Sequence, residues 1–434
     1  MRSLFRGPRG QWTRIVCVAL LMLASSVLLA QMGLAPRVGE IRFEGNKGTR
    51  DSVLRQELLL REGDPATPAL IEATRQSIMN LGLFKDVEAD VETRGDEAVV
   101  TYRVTEKFFY FALPRLNRNA DGDIRYGGEL RADNLFGLNQ QLRLLYEKED
   151  TADGGSEQGS SHLRLDYDVP RVPGTEFGAG LSLGERTTEQ SPSDGEFMDR
   201  YEERSRHVGL SLSRWLDRRG PTRGWRMDLG LRWEARDYAA LDPGVRVPNA
   251  GEDVSWTTGV IFTDVADFGV RREGVAYGGT VTFGATELGA GRNHQRVDVF
   301  YRRYLNLGGE LPSSLNYQLR AGWVGDTPFG GEAYSIGSSS TLRGYGREYR
   351  TGDVRLLANV EYLRPLFGRP AVRGVVFTDM GGVWPKDSLE LGDLRASAGL
   401  GLRINLRWFV RTDLRLDAAY GEEGKIYAGT SHVF

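Results

Sequence analysis

Thiol chemistry is nearly missing from this chain, which has one cysteine, Cys17, and four histidines among 434 residues. A single cysteine forms no intrachain disulfide, and His162, His207, His294 and His432 are too scattered for metal-ligand spacing. Long apolar runs are scarce as well. Beyond the first thirty-odd residues none approaches the roughly 18 residues of a membrane-spanning helix, which excludes a polytopic helical membrane protein. Neither sign of charge dominates: 56 Lys+Arg against 59 Asp+Glu leave −3, so nucleic acid is not an expected partner. No glycine-rich phosphate loop is found, and no cofactor or metal is expected. Glycine, in contrast, is plentiful at 55 residues, without the Gly-X-Y period of collagen.

The amino terminus has the order of a secretory signal peptide. Arg2, Arg6, Arg9 and Arg14 precede an apolar stretch from Ile15 to about Ala30, so residues 1–30 are expected to be removed on export. Cys17 falls inside this segment and the mature chain would carry no thiol. An exported chain without disulfides must be held by hydrogen bonding and burial in a large fold.

Residues 36–107 read as a small α/β domain. Arg37 to Phe43 forms a strand, and Gly45-Asn46 supplies a turn. Val53, Leu54, Glu57, Leu58 and Leu60 then follow helical spacing up to Gly63-Asp64-Pro65. Pro68 opens a second helix with Leu70, Ile71, Thr74, Ile78, Met79 and Leu81 on one stripe, closed by Gly82. Two strands, Phe84 to Thr93 and Ala98 to Val104, finish the unit around Arg94-Gly95-Asp96. Through Ile41-Arg42-Phe43-Glu44-Gly45-Asn46, Gly63-Asp64-Pro65 and Leu81-Gly82-Leu83-Phe84-Lys85-Asp86-Val87, the segment resembles a POTRA domain of the outer-membrane assembly superfamily. That resemblance implies a periplasmic domain that takes unfolded client chains by strand addition at a sheet edge.

From residue 108 to 434 the period changes to two. Leu394, Ala396, Ala398, Leu400, Leu402, Ile404 and Leu406 alternate with Arg395, Ser397, Gly399, Gly401, Arg403, Asn405 and Arg407. Leu414, Leu416, Ala418 and Tyr420 alternate likewise with Asp413, Arg415 and Asp417. Runs near ten residues, apolar on one face and polar on the other, are what a transmembrane barrel requires, because lipid forbids an open sheet edge. Sixteen such segments are predicted, starting near Phe108, Asp123, Leu138, Ser161, Glu176, Tyr201, Trp225, Val254, Gly274, Asn293, Ser314, Asp353, Ala371, Leu394, Trp408 and Lys425. The fold class is therefore mainly β, a transmembrane antiparallel barrel of about sixteen strands preceded by one small β-α-α-β-β domain. Small lumen-facing residues and tight turns account for the glycine. Tyr126, Trp215, Trp225, Trp233, Trp256, Tyr304, Trp323 and Trp384 lie toward segment ends, as interfacial girdles would.

Gly180-Leu181-Ser182-Leu183-Gly184 matches G-x-S-x-G, but Ser182 sits in an alternating run where no strand-to-helix elbow is expected, so a hydrolase is set aside. The long loop after the eleventh segment matters more. Its Leu342-Arg343-Gly344-Tyr345, with Asn359-Val360-Glu361-Tyr362 and Phe377-Thr378-Asp379-Met380-Gly381 downstream, resembles the sixth extracellular loop and the receiving barrel motifs of the BamA/TamA-like superfamily. Ser338 stands where that family usually has a second glycine. Parity turns Glu361 and Asp379 inward, and a rigid guanidinium suits two neighbouring carboxylates. Arg343 is thus expected to pin its loop in the lumen, with Arg343, Gly344, Tyr345, Glu361 and Asp379 as the lock.

The seam between the first strand, Phe108 to Leu116, and the last, ending at Phe434, is the expected gate. Pro114 cannot donate a ladder hydrogen bond if it lies within the paired region, and Phe108, Pro114, Gly429 and Phe434 mark the seam. The resemblance implies a non-enzymatic factor of the bacterial outer membrane, its POTRA domain in the periplasm, inserting or translocating polypeptides. Partners would be unfolded outer-membrane or secreted clients, membrane lipid and accessory periplasmic proteins. A translocator dedicated to one secreted protein and a passive porin or structural barrel are the alternatives.

Overall fold

The computed structural model describes residues 35–118, 124–150, 160–190, 201–241, 243–244, 247–268, 270–329, 334–346, 348–406 and 413–429. The expected signal peptide, His432 and Phe434 lie outside them.

The amino-terminal domain comprises β1 (Arg37–Glu44), α1 (Asp51–Arg55), α2 (Pro68–Met79), β2 (Phe84–Arg94) and β3 (Glu97–Glu106). The strand order is β1-β3-β2, with β1 parallel and β2 antiparallel to the central strand. Pro68 occupies the first turn of α2, and the Thr67 side chain accepts from the Leu70 N–H at 3.4 Å, so the amide orphaned at the helix start is capped. Ile71, Thr74 and Ile78 face inward and pack with Val38, Ile41, Leu54, Phe84 and Val100. Gly45 turns at φ +89°, where an added Cβ would sit 2.1 Å from the Val104 carbonyl oxygen, so only glycine fits.

The first helix is shorter than its periodicity predicts. After Arg55 the backbone tightens to i→i−3 bonds, Glu57 N to Leu54 O and Leu58 N to Arg55 O. Leu60 N then donates to Thr74 Oγ1 at 3.0 Å, which takes Leu60 into the core and leaves Glu57 facing the barrel.

Sixteen antiparallel strands form the barrel. They are β4 (Tyr110–Arg118), β5 (Ile124–Leu135), β6 (Gln140–Asp150), β7 (Ser160–Val169), β8 (Phe177–Gln190), β9 (Tyr201–Arg218), β10 (Arg223–Ala240) and β11 (Gly251–Asp267). Then come β12 (Arg272–Gly284), β13 (His294–Asn306) and β14 (Ser314–Asp326). A loop hairpin, β15 (Tyr334–Ile336) with β16 (Arg350–Gly352), precedes β17 (Val354–Leu366), β18 (Arg369–Trp384), β19 (Arg395–Asn405), β20 (Asp413–Tyr420) and β21 (Gly424–Gly429). Each barrel strand pairs with its sequence neighbour and β21 pairs with β4, closing the sheet. Leu130, Leu144, Leu210, Leu229, Leu319 and Leu400 are exposed on the outer face, while Glu129, Asn359, Asp379, Arg403 and Asp417 are buried inside. The start of the fifteenth barrel strand is the furthest from its predicted place, Asp413 rather than Trp408, and residues 407–412 are outside the described set.

Two expected girdle aromatics are not on the lipid face, and a third is covered there. Trp215 and Tyr304 are buried because their strand parity turns them inward, whereas Trp384, with the outward parity of Val376 and Met380, is buried by packing at its strand end. Trp384 donates from Nε1 to the Glu390 carbonyl, and Arg218 and Arg226 stand over the Trp215 ring. Tyr126, Trp256 and Trp323 are exposed, whereas Trp225 and Trp233 are half-buried.

Candidate functional site

The 27-residue connection between β14 and β17 does not stand away from the barrel mouth. Its hairpin β15–β16 turns it back, and Val324, Tyr334, Ile336, Leu342, Tyr345 and Val383 form an apolar cluster that seats it. The descent brings Arg343 to complete burial.

A guanidinium without solvent needs charged partners, and it has three. Arg343 Nε and Nη2 donate to Asp379 Oδ2 and Oδ1 at 2.6 and 2.7 Å. Nη1 reaches Glu361 Oε1 at 2.8 Å and Asp417 Oδ2 at 3.1 Å. The Arg343 backbone N–H adds a bond of 3.2 Å to Asp379. The Phe377 ring lies below, its centroid 3.4 Å from the guanidinium carbon, a cation–π contact in a dry site.

Two further arginines complete the balance. Arg403 donates to both Glu361 and Asp417, and Arg415 to Asp417 and to the Ser339 carbonyl. Arg343, Arg403 and Arg415 thus meet Asp379, Glu361 and Asp417, three charges of each sign. Asn359 fixes the geometry, donating to Asp379 Oδ1 and to the Thr341 carbonyl, both at 2.7 Å, and accepting from Gln318 at 3.0 Å.

The neighbours of Arg343 tie the loop to the last strands. Gly344 takes φ +81°, and a Cβ there would stand 2.6 Å from Gly421 N. Its N–H donates to the Tyr427 hydroxyl at 2.9 Å, and its carbonyl accepts from Glu422 N and Glu423 N. Tyr345 donates to the Ala396 carbonyl at 2.9 Å. Ser338 bonds to Thr341 Oγ1 at 2.8 Å within the loop.

The five residues read from sequence as the lock therefore meet in one place. Asp417, Arg403, Arg415, Asn359, Phe377 and Tyr427 belong to the same cluster and were not singled out, although parity had already put Asp417, Arg415 and Arg403 on the polar face.

The seam residues do not gather in the same way. Phe108 is exposed and lies in the connector two residues before β4. The chain there is still tied to the small domain, since Lys107 N bonds to Leu83 O and Phe109 packs against the domain core. Pro114 sits within β4 opposite Gly128, not beyond the ladder. Gly429 pairs with Arg415 on β20, and among the described residues β21 meets β4 at Ala428↔Arg118. Ser182 lies mid-strand in β8, which runs straight on to Gln190. Its hydroxyl is 3.2 Å from His207 Nε2, and among the described residues no carboxylate bonds the other ring nitrogen.

The small domain docks on the rim opposite that loop, against short turns. Arg50 donates to the Phe136 carbonyl, Asn134 to Thr49 Oγ1 at 2.8 Å, Arg171 to the Gln56 carbonyl at 2.8 Å and Gln76 to the Asp267 carbonyl at 3.1 Å. Glu57 is buried there, with Oε1 2.6 Å from Arg218 and 3.8 Å from Arg171 and Oε2 without a hydrogen-bond partner among the described residues. Burial pushes its carboxyl above the ordinary value, against the pull of Arg218. The lumen also holds a cavity of about 950 Å³, lined among others by Arg115, Glu129, Arg143, Arg164, Asp166 and Arg232.

Comparison with known proteins follows this division. Residues 36–107 match the family described as surface antigen variable number repeat, POTRA, and residues 134–420 match the Omp85 superfamily domain. The outer membrane protein assembly factor BamA of Nitratidesulfovibrio vulgaris is 40% identical over 70 residues, 16% of this chain and 9% of that protein. BamA of Neorickettsia risticii is 29% identical over 154 residues, 34% of this chain and 19% of that protein. The chain thus spans less than a fifth of these curated relatives. Among solved structures, CdiB from Escherichia coli aligns with a TM-score of 0.64 at 16% identity, over 92% of this chain and 76% of that one. BamA from Haemophilus ducreyi lacking POTRA domains 1–3 aligns at 0.53 and 17%, over 91% and 84%. Both likenesses are of fold.

Proposed function

The chain belongs to the Omp85 superfamily, and from that premise we propose that it inserts or translocates polypeptides at the bacterial outer membrane. The POTRA domain faces the periplasm and delivers an extended client strand to the seam between β21 and β4. The observation that carries this reading is the pairing of a docked POTRA domain with a closed sixteen-strand barrel whose long loop is anchored inside by Arg343. Clients are unfolded outer-membrane or secreted chains, recognised by backbone pairing at sheet edges, and no covalent step is involved. Residues 1–30 serve as the export signal, 36–107 as the client-receiving domain and 108–434 as the barrel. Accessory periplasmic proteins would use the same domain.

A second reading is favoured by the lumenal cavity beside β4 to β10, which the anchored loop leaves unfilled. In that reading the lumen is the conduit for one dedicated secreted partner.

Quantitative proteomics of outer-membrane and secreted fractions, with and without the gene, separates the two. Depletion of many barrel proteins supports insertion, and loss of one secreted or surface protein supports dedicated translocation. No change in either fraction, together with steady conductance that survives deletion of residues 36–107, would leave a passive porin and overturn both.

A further inference from the structure

The outer face of the barrel carries a row of touching rings on five consecutive strands. Trp225 on β10 lies 5.2 Å from Phe262 on β11, Phe262 5.1 Å from Tyr277 on β12, Tyr277 6.3 Å from Tyr301 on β13, and Tyr301 6.0 Å from Tyr317 on β14. The first three contacts are between direct ladder partners and the last is a diagonal one. Each ring shares strand parity with exposed aliphatics, such as Met227, Val260, Val281, Val299 and Leu319, so the row faces lipid. Counted from β4, these strands are seventh to eleventh of sixteen, the side of the barrel away from the seam. The row runs near the rim on which the POTRA domain docks, at the level where amphipathic rings meet lipid headgroups.

Toward that rim the next outward positions are charged on β10, β11 and β13, and are Val275 and Leu315 on β12 and β14. On β10 and β11, Arg223 is neutralised by Asp264 at 2.6 Å. Arg303 on β13 differs. It has the outward parity of Val297 and Val299, stands opposite Tyr317 in the ladder, and its side chain makes no hydrogen bond or ion pair among the described residues. A cation on the lipid face is tolerated near the headgroups and penalised at the midplane, so a phosphate is the partner this position offers. A guanidinium matches phosphate oxygens with two parallel bonds, and the neighbouring tyrosines add an apolar body with a polar tip.

We propose that Arg303, with Tyr301 and Tyr317, binds the phosphate of a membrane phospholipid on the periplasmic-side leaflet. This rests on the outer-membrane reading above and not on what the clients are. Such a lipid would fasten the barrel wall opposite the seam.

The test is native mass spectrometry of the full chain, released from micelles containing phosphatidylethanolamine and phosphatidylglycerol. The wild-type protein should retain a phospholipid. Retention should fall by about tenfold in Arg303→Gln, be partly rescued in Arg303→Lys, and be unchanged in Arg61→Gln, an exposed arginine of the POTRA domain. Equal retention in Arg303→Gln would overturn the proposal, as would inorganic phosphate alone displacing the lipid at millimolar levels. Reconstitution into vesicles separates the two failures: a chain that does not enter them loses the membrane reading, whereas one that enters with unchanged lipid retention loses only this site.

Discussion

Arg343 and Asp379 meet fork to fork, Nε to Oδ2 and Nη2 to Oδ1, with neither side chain touching solvent. Arg343→Ala would leave Asp379, Glu361 and Asp417 facing only Arg403 and Arg415. Leaving buried charge uncompensated costs about 3–5 kcal/mol. The loop should then become cleavable in limited proteolysis and the barrel should unfold at lower denaturant. Arg343→Lys keeps the charge without the fork and should fall between. Arg343→Leu combined with Asp379→Leu should be less damaging than the sum of the single changes, a non-additivity read from a double-mutant cycle.

Gly344→Ala tests backbone rather than charge. The left-handed conformation penalises a side chain by about 1–2 kcal/mol, and the Cβ would also press on Gly421. The expected outcome is a loop partly released with all six charges intact, seen as increased labelling of a cysteine introduced beside it.

At the dock, acidity should tighten the contact between domain and barrel. The Glu57 carboxyl is raised in the docked state and ordinary when the domain is free, so docking binds a proton. Its contribution is full below the ordinary glutamate value and is lost as pH rises through the raised value. Distance distributions by pulsed electron resonance, between labels on the POTRA domain and the barrel, should broaden across that window. In Glu57→Gln they should not depend on pH there.

One stabilising change is expected. Phe367 and Gly368 form the two-residue turn between β17 and β18 with φ +56° and +67°, and the Phe367 side chain is almost fully exposed. Asparagine adopts that conformation at lower cost than phenylalanine. Phe367→Asn should raise stability by about 1 kcal/mol, measured as a shift in the guanidinium midpoint.

The strand plan was legible in the sequence because a lipid-facing barrel enforces period two over long runs. Gly-Asp-Pro and the α2 stripe likewise marked the small domain. Glu361 and Asp379 were found because the motif and the parity agree. Asp417, Arg403 and Arg415 escaped because parity says which face a residue takes and not which strands curve round to share a centre. A local signal was there to be used: acid and arginine two apart point the same way, as in Arg131 with Asp133, Arg164 with Asp166, Arg296 with Asp298 and Arg415 with Asp417. The dock left no such trace, since much of it pairs side chains with backbone carbonyls and its ion pair, Glu57 with Arg218, joins residues far apart in sequence. Trp215 and Tyr304 were misplaced because nearness to a strand end does not give direction.

Tyr427 gives the anchored loop a thermodynamic link to the seam. It belongs to β21, and its hydroxyl accepts the Gly344 amide, while the β20–β21 hairpin donates two amides to the Gly344 carbonyl. Linkage is reciprocal, so whatever free energy these bonds give to the seated loop they give equally to the terminal hairpin. An agent that draws the loop out weakens the closing strand, and a client that displaces that strand lowers the work of drawing out the loop.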